Sequence, residues 1–222
     1  MLKPYELKLK LIKEEIEKIG NDVVESLEFS LRALEDKKID SLRSIEITEK
    51  KLQIKSNEID NLIVTTLALY TPEAKDLRQL VSFLKITNEL VRTGSNAKDF
   101  AKKFKKSYSD DLNTAMILEY AIPLLKSSLL SLQTSISIID ETDPKHVEEK
   151  YHRVIVEESK TDDLYLMIEK NILKLITKNL DLSKEYFDIL SALRRLEKIA
   201  DRAVSIANLL QFAQVGGDIV QS

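Results

Sequence analysis

The sequence predicts an all-α protein made of two tandem, pseudo-symmetric three-helix bundles, six long helices in total. Three observations carry this. Gly and Pro number only four each in 222 residues, whereas sheets need frequent turn residues between strands. Apolar residues recur at spacings of three and four over long stretches, the signature of one buried helical face. The third and sixth of these stretches also repeat one another.

The first helix is expected over about Tyr5 to Leu34, where Leu9, Ile12, Ile16, Ile19, Val23, Leu27 and Ser30 share a face. A connection, Glu35 to Asp40, follows, with Asp40 as N-cap of a second helix that runs to about Tyr70. Thr71-Pro72-Glu73 reads as a cap with Pro at the first helical position, so a third helix starts at Pro72 and reaches about Lys106. After the polar stretch Ser107 to Asp111, a fourth helix extends to about Ile139. Pro123 is expected to kink it or start it afresh, because proline removes a backbone donor. Thr142-Asp143-Pro144 opens a fifth helix to about Lys178. Asn179 to Ser183 makes the last turn, and a sixth helix runs to about Val215, stopped by Gly216 and Gly217.

A heptad seam through the third helix gives Phe83, Ile86, Leu90, Thr93, Ala97, Phe100 and Phe104. The sixth gives Ile189, Ala192, Leu196, Ile199, Ala203, Ile206 and Leu210, the same pattern shifted by about 106 residues without a gap. Small residues recur with it, as Gly94, Ala97 and Ala101 and then Ala200, Ala203 and Ala207. This reads as an internal duplication, with residues 1–106 as the first bundle and 107–222 as the second. The second and fifth helices match through Ile59-Asp60-Asn61-Leu62 and Thr161-Asp162-Asp163-Leu164. The first and fourth show no shared register.

Composition narrows the function. The chain has no cysteine, which excludes disulfides, thiolate catalysis and zinc–sulfur sites. Net charge is −3, with both signs mixed along the chain rather than gathered into a basic stripe, and this argues against nucleic acid as a partner. The N-terminus enters charged amphipathic sequence directly, and no uninterrupted apolar run reaches membrane-spanning length. A cytoplasmic protein is expected, meeting membranes only through partners. No Gly-rich phosphate loop, Walker sequence or nucleophile elbow is present.

Acidic pairs one helical turn apart occur as Asp36/Asp40, Glu158/Asp162, Asp181/Glu185 and Glu197/Asp201. Glu197 and Asp201 lie off the apolar seam, on the outer face of the sixth helix, and Glu158/Asp162 has the same spacing in the preceding helix, so two pairs on adjacent helices would form a cluster of hard oxygen ligands. Such carboxylates repel one another until a multivalent cation neutralises them. Without cysteine, the fitting ions prefer oxygen: Mg²⁺, Mn²⁺, Ca²⁺ or ferric iron. The plain alternative is a solvated face balanced by Arg194, Lys198, Arg202 and Lys160.

The stretch Asp76-Leu77-Arg78 through Leu84-Lys85-Ile86-Thr87-Asn88-Glu89-Leu90-Val91-Arg92-Thr93-Gly94-Ser95, with Leu193-Arg194-Arg195-Leu196-Glu197-Lys198-Ile199-Ala200-Asp201-Arg202-Ala203, resembles the PhoU family of phosphate-uptake regulators. The resemblance spans nearly the whole chain, including the Tyr70-Thr71-Pro72 turn. It implies a non-enzymatic, cytoplasmic negative regulator of phosphate uptake and phosphate-starvation signalling. It also implies an adaptor, commonly a homodimer, between the ATPase subunit of a phosphate ABC transporter and a sensor histidine kinase. Each bundle of the family can hold metal through paired Glu/Asp-x-x-x-Asp motifs, with iron, manganese or magnesium the expected ions and zinc possible.

Carried over to this sequence, the second bundle keeps both motifs, as Glu158/Asp162 and Glu197/Asp201. The first does not: Val91 and Ser95 stand where carboxylates are wanted, Ser56 precedes a retained Asp60, and Lys98 adds positive charge. Metal is therefore expected in the second bundle only, with Asp60 the remnant of a degenerate first site. Leu84, Val91 and Ser95 mark a candidate interaction face there, unless a neighbouring helix buries it. A ferritin-like di-metal carboxylate enzyme or storage protein is the alternative. That class needs Glu-x-x-His motifs on inward faces, whereas the acidic pairs here sit off the seam.

Overall fold

The computed structural model describes residues 3–44 and 49–216. Its helices are α1 (Lys3–Glu35), α2 (Glu49–Tyr70), α3 (Ala74–Ser107), α4 (Thr114–Ile136), α5 (Pro144–Ile176) and α6 (Ser183–Val215), with short 3₁₀ turns at Ile39–Ser44 and Leu180–Leu182. No strand occurs among the described residues.

Local chemistry sets the helix ends. Lys37 adopts a left-handed φ of 58°. The Lys38 N–H then bonds back to the Ala33 carbonyl at 2.8 Å and the Lys37 N–H to that of Leu34 at 3.1 Å, closing α1 in a Schellman turn. Asp40 does not cap the second helix as expected. It lies in the 3₁₀ turn with its carboxylate 2.9 Å from Lys105 Nζ of α3, and α2 is described from Glu49. Residues 45–48, which the expected second helix included, lie outside the described residues. α3 likewise starts two residues late: Thr71 sits at φ 41° and Glu73 is the N-cap, so Pro72 belongs to the turn.

Asn113, rather than the Ser107–Asp111 stretch, caps α4, its Oδ1 accepting from the Met116 N–H at 3.1 Å. α4 then runs through Pro123 without restarting. Proline costs about 3 kcal/mol inside a helix, but Leu124 and Leu125 beside it are fully buried and contribute about 1.5–3 kcal/mol each. Glu119, whose carbonyl loses its partner, is exposed to water. Asp143 caps α5 by accepting from the Lys145 N–H at 2.9 Å. Gly216 ends α6 at φ 88°, where a Cβ would be strained; Gly217 is outside the described residues.

Every residue of both heptad seams is buried. α3 and α6 pack antiparallel along their lengths. Lys103 donates to Ser191 at 3.2 Å, Arg195 Nε lies 3.8 Å from Asp99 and Arg202 donates to Glu89 at 2.7 Å, so the α6 number rises as the α3 number falls. α1 and α2 cover α3, α4 and α5 cover α6, and α1 also touches α4. The buried apolar residues of all six helices form one continuous cluster.

Among the described residues α4 alone is long and apolar enough, by length and composition, to cross a membrane. More than half of its apolar window is buried inside the protein, with Ile117, Ala121, Leu124, Leu125 and Leu132 at zero exposure. It is packed inside the protein against α1, α5 and α6.

Two measurements check these contacts. A side chain at Gly94 would overlap Cδ1 of the buried Leu52, so Gly94→Val is expected to lower stability by about 1–3 kcal/mol in denaturant unfolding. Glu141 ties the α4–α5 turn by accepting from Lys150 Nζ at 2.9 Å and from the N–H groups of Thr142 and Asp143. These bonds hold its carboxyl down at about 2. The contribution is full above the ordinary carboxylate range and is lost as pH falls toward that value. Glu141→Gln should therefore lower the melting temperature at neutral pH, with the difference vanishing in strong acid.

Candidate metal centre

Glu158 and Asp162 lie one turn apart on α5, and Glu197 and Asp201 one turn apart on α6, because i,i+4 side chains share a helical face. α5 packs against α6 and brings three of the four together. One carboxylate oxygen from each of Glu158, Asp162 and Asp201 lies within 4.8 Å of the other two, and all three residues are half-buried.

Glu197 is placed differently from the expectation. Its side chain is not on an outer face but buried, with 7 % exposure, because α3 and α5 flank α6 and leave little of it open. Its carboxylate turns toward Arg194, with Nε 2.6 Å from Oε2, while the Arg194 guanidinium lies over the Tyr165 ring of α5, 5.0 Å from the centroid. That close approach is misaligned for a hydrogen bond, so Glu197 Oε2 stays inaccessible to water without a hydrogen-bond partner. Asp162 Oδ1 is in the same condition.

The electrostatics follow from this crowding. Burial, then the charges of Asp162 and Asp201, push the Glu158 carboxyl up. Burial, then Asp201, does the same to Asp162, and burial raises Glu197 against the opposing pull of Lys198 and Arg194. Lys198 lies closest among the cations, its Nζ 2.5 Å from Asp201 Oδ2 and 4.0 Å from Glu197 Oε1. The other proposed neutralisers point elsewhere: Lys160 toward Glu157 at 3.5 Å and Arg202 toward Glu89. Chemically the cluster offers hard oxygen donors from three carboxylates, and the buried Asp162 Oδ1 lacks a hydrogen-bond partner, which suits a multivalent oxygen-preferring cation.

The corresponding face of the first half is closed. Asp60 Oδ1 accepts from Thr87 Oγ1 at 2.7 Å, a partner that spacing alone did not identify. Ser56 and Val91 are buried, and Ser95 and Leu84 are partly covered, Leu84 against the core. The strip through Leu84 and Val91 is therefore packed inside the chain rather than presented as an open apolar surface. His146 and His152 are both exposed on α5. The Glu-x-x-His spacing at Glu149-Lys150-Tyr151-His152 has both terminal residues exposed, on the wrong side for a di-metal core.

The raised carboxyls make a signed prediction. Folded Glu158, Asp162 and Glu197 hold protons more tightly than the unfolded chain does, so their contribution to stability declines as pH rises through the acidic range. In chelator-treated protein, Asp162→Asn should raise the melting temperature at neutral pH by about 2–4 °C. The gain should shrink as pH is lowered; a gain that grew in acid would contradict this electrostatic account.

Comparison with known proteins places the fold. The model of the PhoU domain matches residues 16–104 and again residues 124–210. The phosphate-specific transport system accessory protein PhoU of Edwardsiella tarda is 23 % identical, the alignment covering 96 % of this chain and 88 % of that protein. A PhoU homolog 1 of Thermotoga maritima is 23 % identical with 96 % and 89 % covered. The crystal structure of PhoU from Pseudomonas aeruginosa superposes with a TM-score of 0.82 at 19 % identity, over 96 % of this chain and all of that one. The phosphate transport system regulatory protein PhoU from Streptococcus pneumoniae gives 0.80 at 20 % identity, over 98 % and 100 %. With the domain found twice and both halves covered, this chain belongs to the PhoU family.

Proposed function

We propose that the protein is a cytoplasmic negative regulator of phosphate uptake and phosphate-starvation signalling, working as an adaptor between a phosphate ABC transporter and a sensor histidine kinase rather than as an enzyme. The observation that carries this reading is the match of both halves to the PhoU domain, together with relatives of nearly equal extent named as accessory proteins of phosphate-specific transport. The second half contributes a metal centre in this reading. Glu158, Asp162 and Asp201 would hold one oxygen-preferring cation, with Glu197 beside them. The ion would supply the positive charge that offsets carboxylate repulsion and would fasten α5 to α6. Asp60, bonded to Thr87 and with no second carboxylate from α3, would hold none.

Deletion of the gene, read by a phosphate-regulated reporter, tests the role. Derepression in high phosphate is expected, with recovery on return of the wild-type gene, and unchanged repression would overturn the regulatory reading. Elemental analysis of natively purified protein tests the metal centre. Wild type should carry iron, manganese or magnesium, and an Asp162→Asn/Asp201→Asn variant of equal fold should not.

A further inference from the structure

We infer that Lys198 is the built-in counter-cation of the α5–α6 carboxylate cluster, and that a metal ion enters by displacing its ammonium from Asp201. The inference deepens the metal-centre reading above and rests on it. Two cations border the cluster, and they are held differently. Arg194 is fixed twice, by Glu197 at 2.6 Å and by the face of Tyr165, and its planar, delocalised charge suits a permanent stacked position. Among the described residues the Lys198 ammonium pairs with the carboxylates of Asp201 and Glu197, and its side chain is 40 % exposed. A lysine is a compact charge on a flexible stem, so it can leave toward water without opening the core.

Asp201 is also the residue that both cations would need. It is the sole contribution of α6 to the three-oxygen set, and the same carboxylate carries the Lys198 contact. The ammonium and a metal ion therefore compete for one group. A singly charged ion in water would gain little by replacing an ammonium already in place. An ion of higher charge can also take the unsatisfied oxygen of Asp162, which Lys198 leaves unbonded. Lys198 thus sets a threshold of charge for entry, and it offsets part of the cluster's negative charge when no metal is bound.

Calorimetric titration of the chelated full-length protein with MnCl₂ tests this, comparing wild type with Lys198→Gln and Lys198→Arg at fixed pH and ionic strength. Lys198→Gln should bind Mn²⁺ about tenfold more tightly, and Lys198→Arg, which keeps the charge, should show no such gain. A metal-free arm uses thermal unfolding. Lys198→Gln should melt below wild type at neutral pH, and the deficit should disappear in Lys198→Gln/Asp201→Asn and on adding Mn²⁺ to the single variant. Mn²⁺ binding of equal strength by wild type and Lys198→Gln would overturn the inference while leaving the metal centre standing. Binding by none of the three would remove the metal centre and the inference with it.

Discussion

The antiparallel packing of α3 on α6 is the constraint on which the rest of the structure depends. These helices carry the two matching seams, and each is covered on its other sides by helices of its own half. Their contact is not purely apolar. Lys103 with Ser191, Asp99 with Arg195 and Glu89 with Arg202 fix the register at three points along the pair. Apolar burial supplies most of the free energy but is non-directional; charged and hydrogen-bonded contacts at set positions discriminate against a slip by one turn. Because α6 is held in that register, Glu197 and Asp201 are presented to α5 at the height of Glu158 and Asp162.

The cluster that results is a compromise between packing and charge. Carboxylates brought together at a half-buried surface raise one another's proton affinity, and burial adds to this. A wholly apolar junction between α5 and α6 would avoid the repulsion. The first half avoids it differently at the matching place, where Val91 is buried and the one carboxylate, Asp60, accepts from a threonine hydroxyl. One fold therefore carries two treatments of the same helix junction, one closed by packing and one that gathers half-buried carboxylates.

Much of this was readable in the sequence, for identifiable reasons. The six helices and both seams were legible because α3 and α6 are buried over most of their circumference, which imposes a strong period. The cap at Asp143 was legible because its chemistry is local. What escaped depended on distant partners. Asp40 has good capping chemistry, yet its carboxylate is taken by Lys105, 65 residues away. Pro123 reads as a break, yet flanking core contacts hold α4 continuous. The i,i+4 spacing placed Glu197 and Asp201 on one face correctly, but spacing cannot say that a neighbouring helix covers half of that face. Hence Glu197 was expected at the surface and lies beneath Arg194. The meeting of α5 with α6 at Asp201 was legible only through the duplication and the family likeness.

The order of the helices along the chain has a consequence for synthesis. α3 is complete at Ser107, but its partner α6 spans Ser183–Val215 and is made after the other five helices. While the chain emerges from the ribosome, the side of α3 destined for α6 has no cover, and the apolar α4 must also wait for α5 and α6. An N-terminal fragment ending in the middle of the chain would therefore keep sticky surface in water. α6 acts as the clasp that converts two nascent halves into one folded body, so a chain cut before α6 would leave both α3 and α4 uncovered.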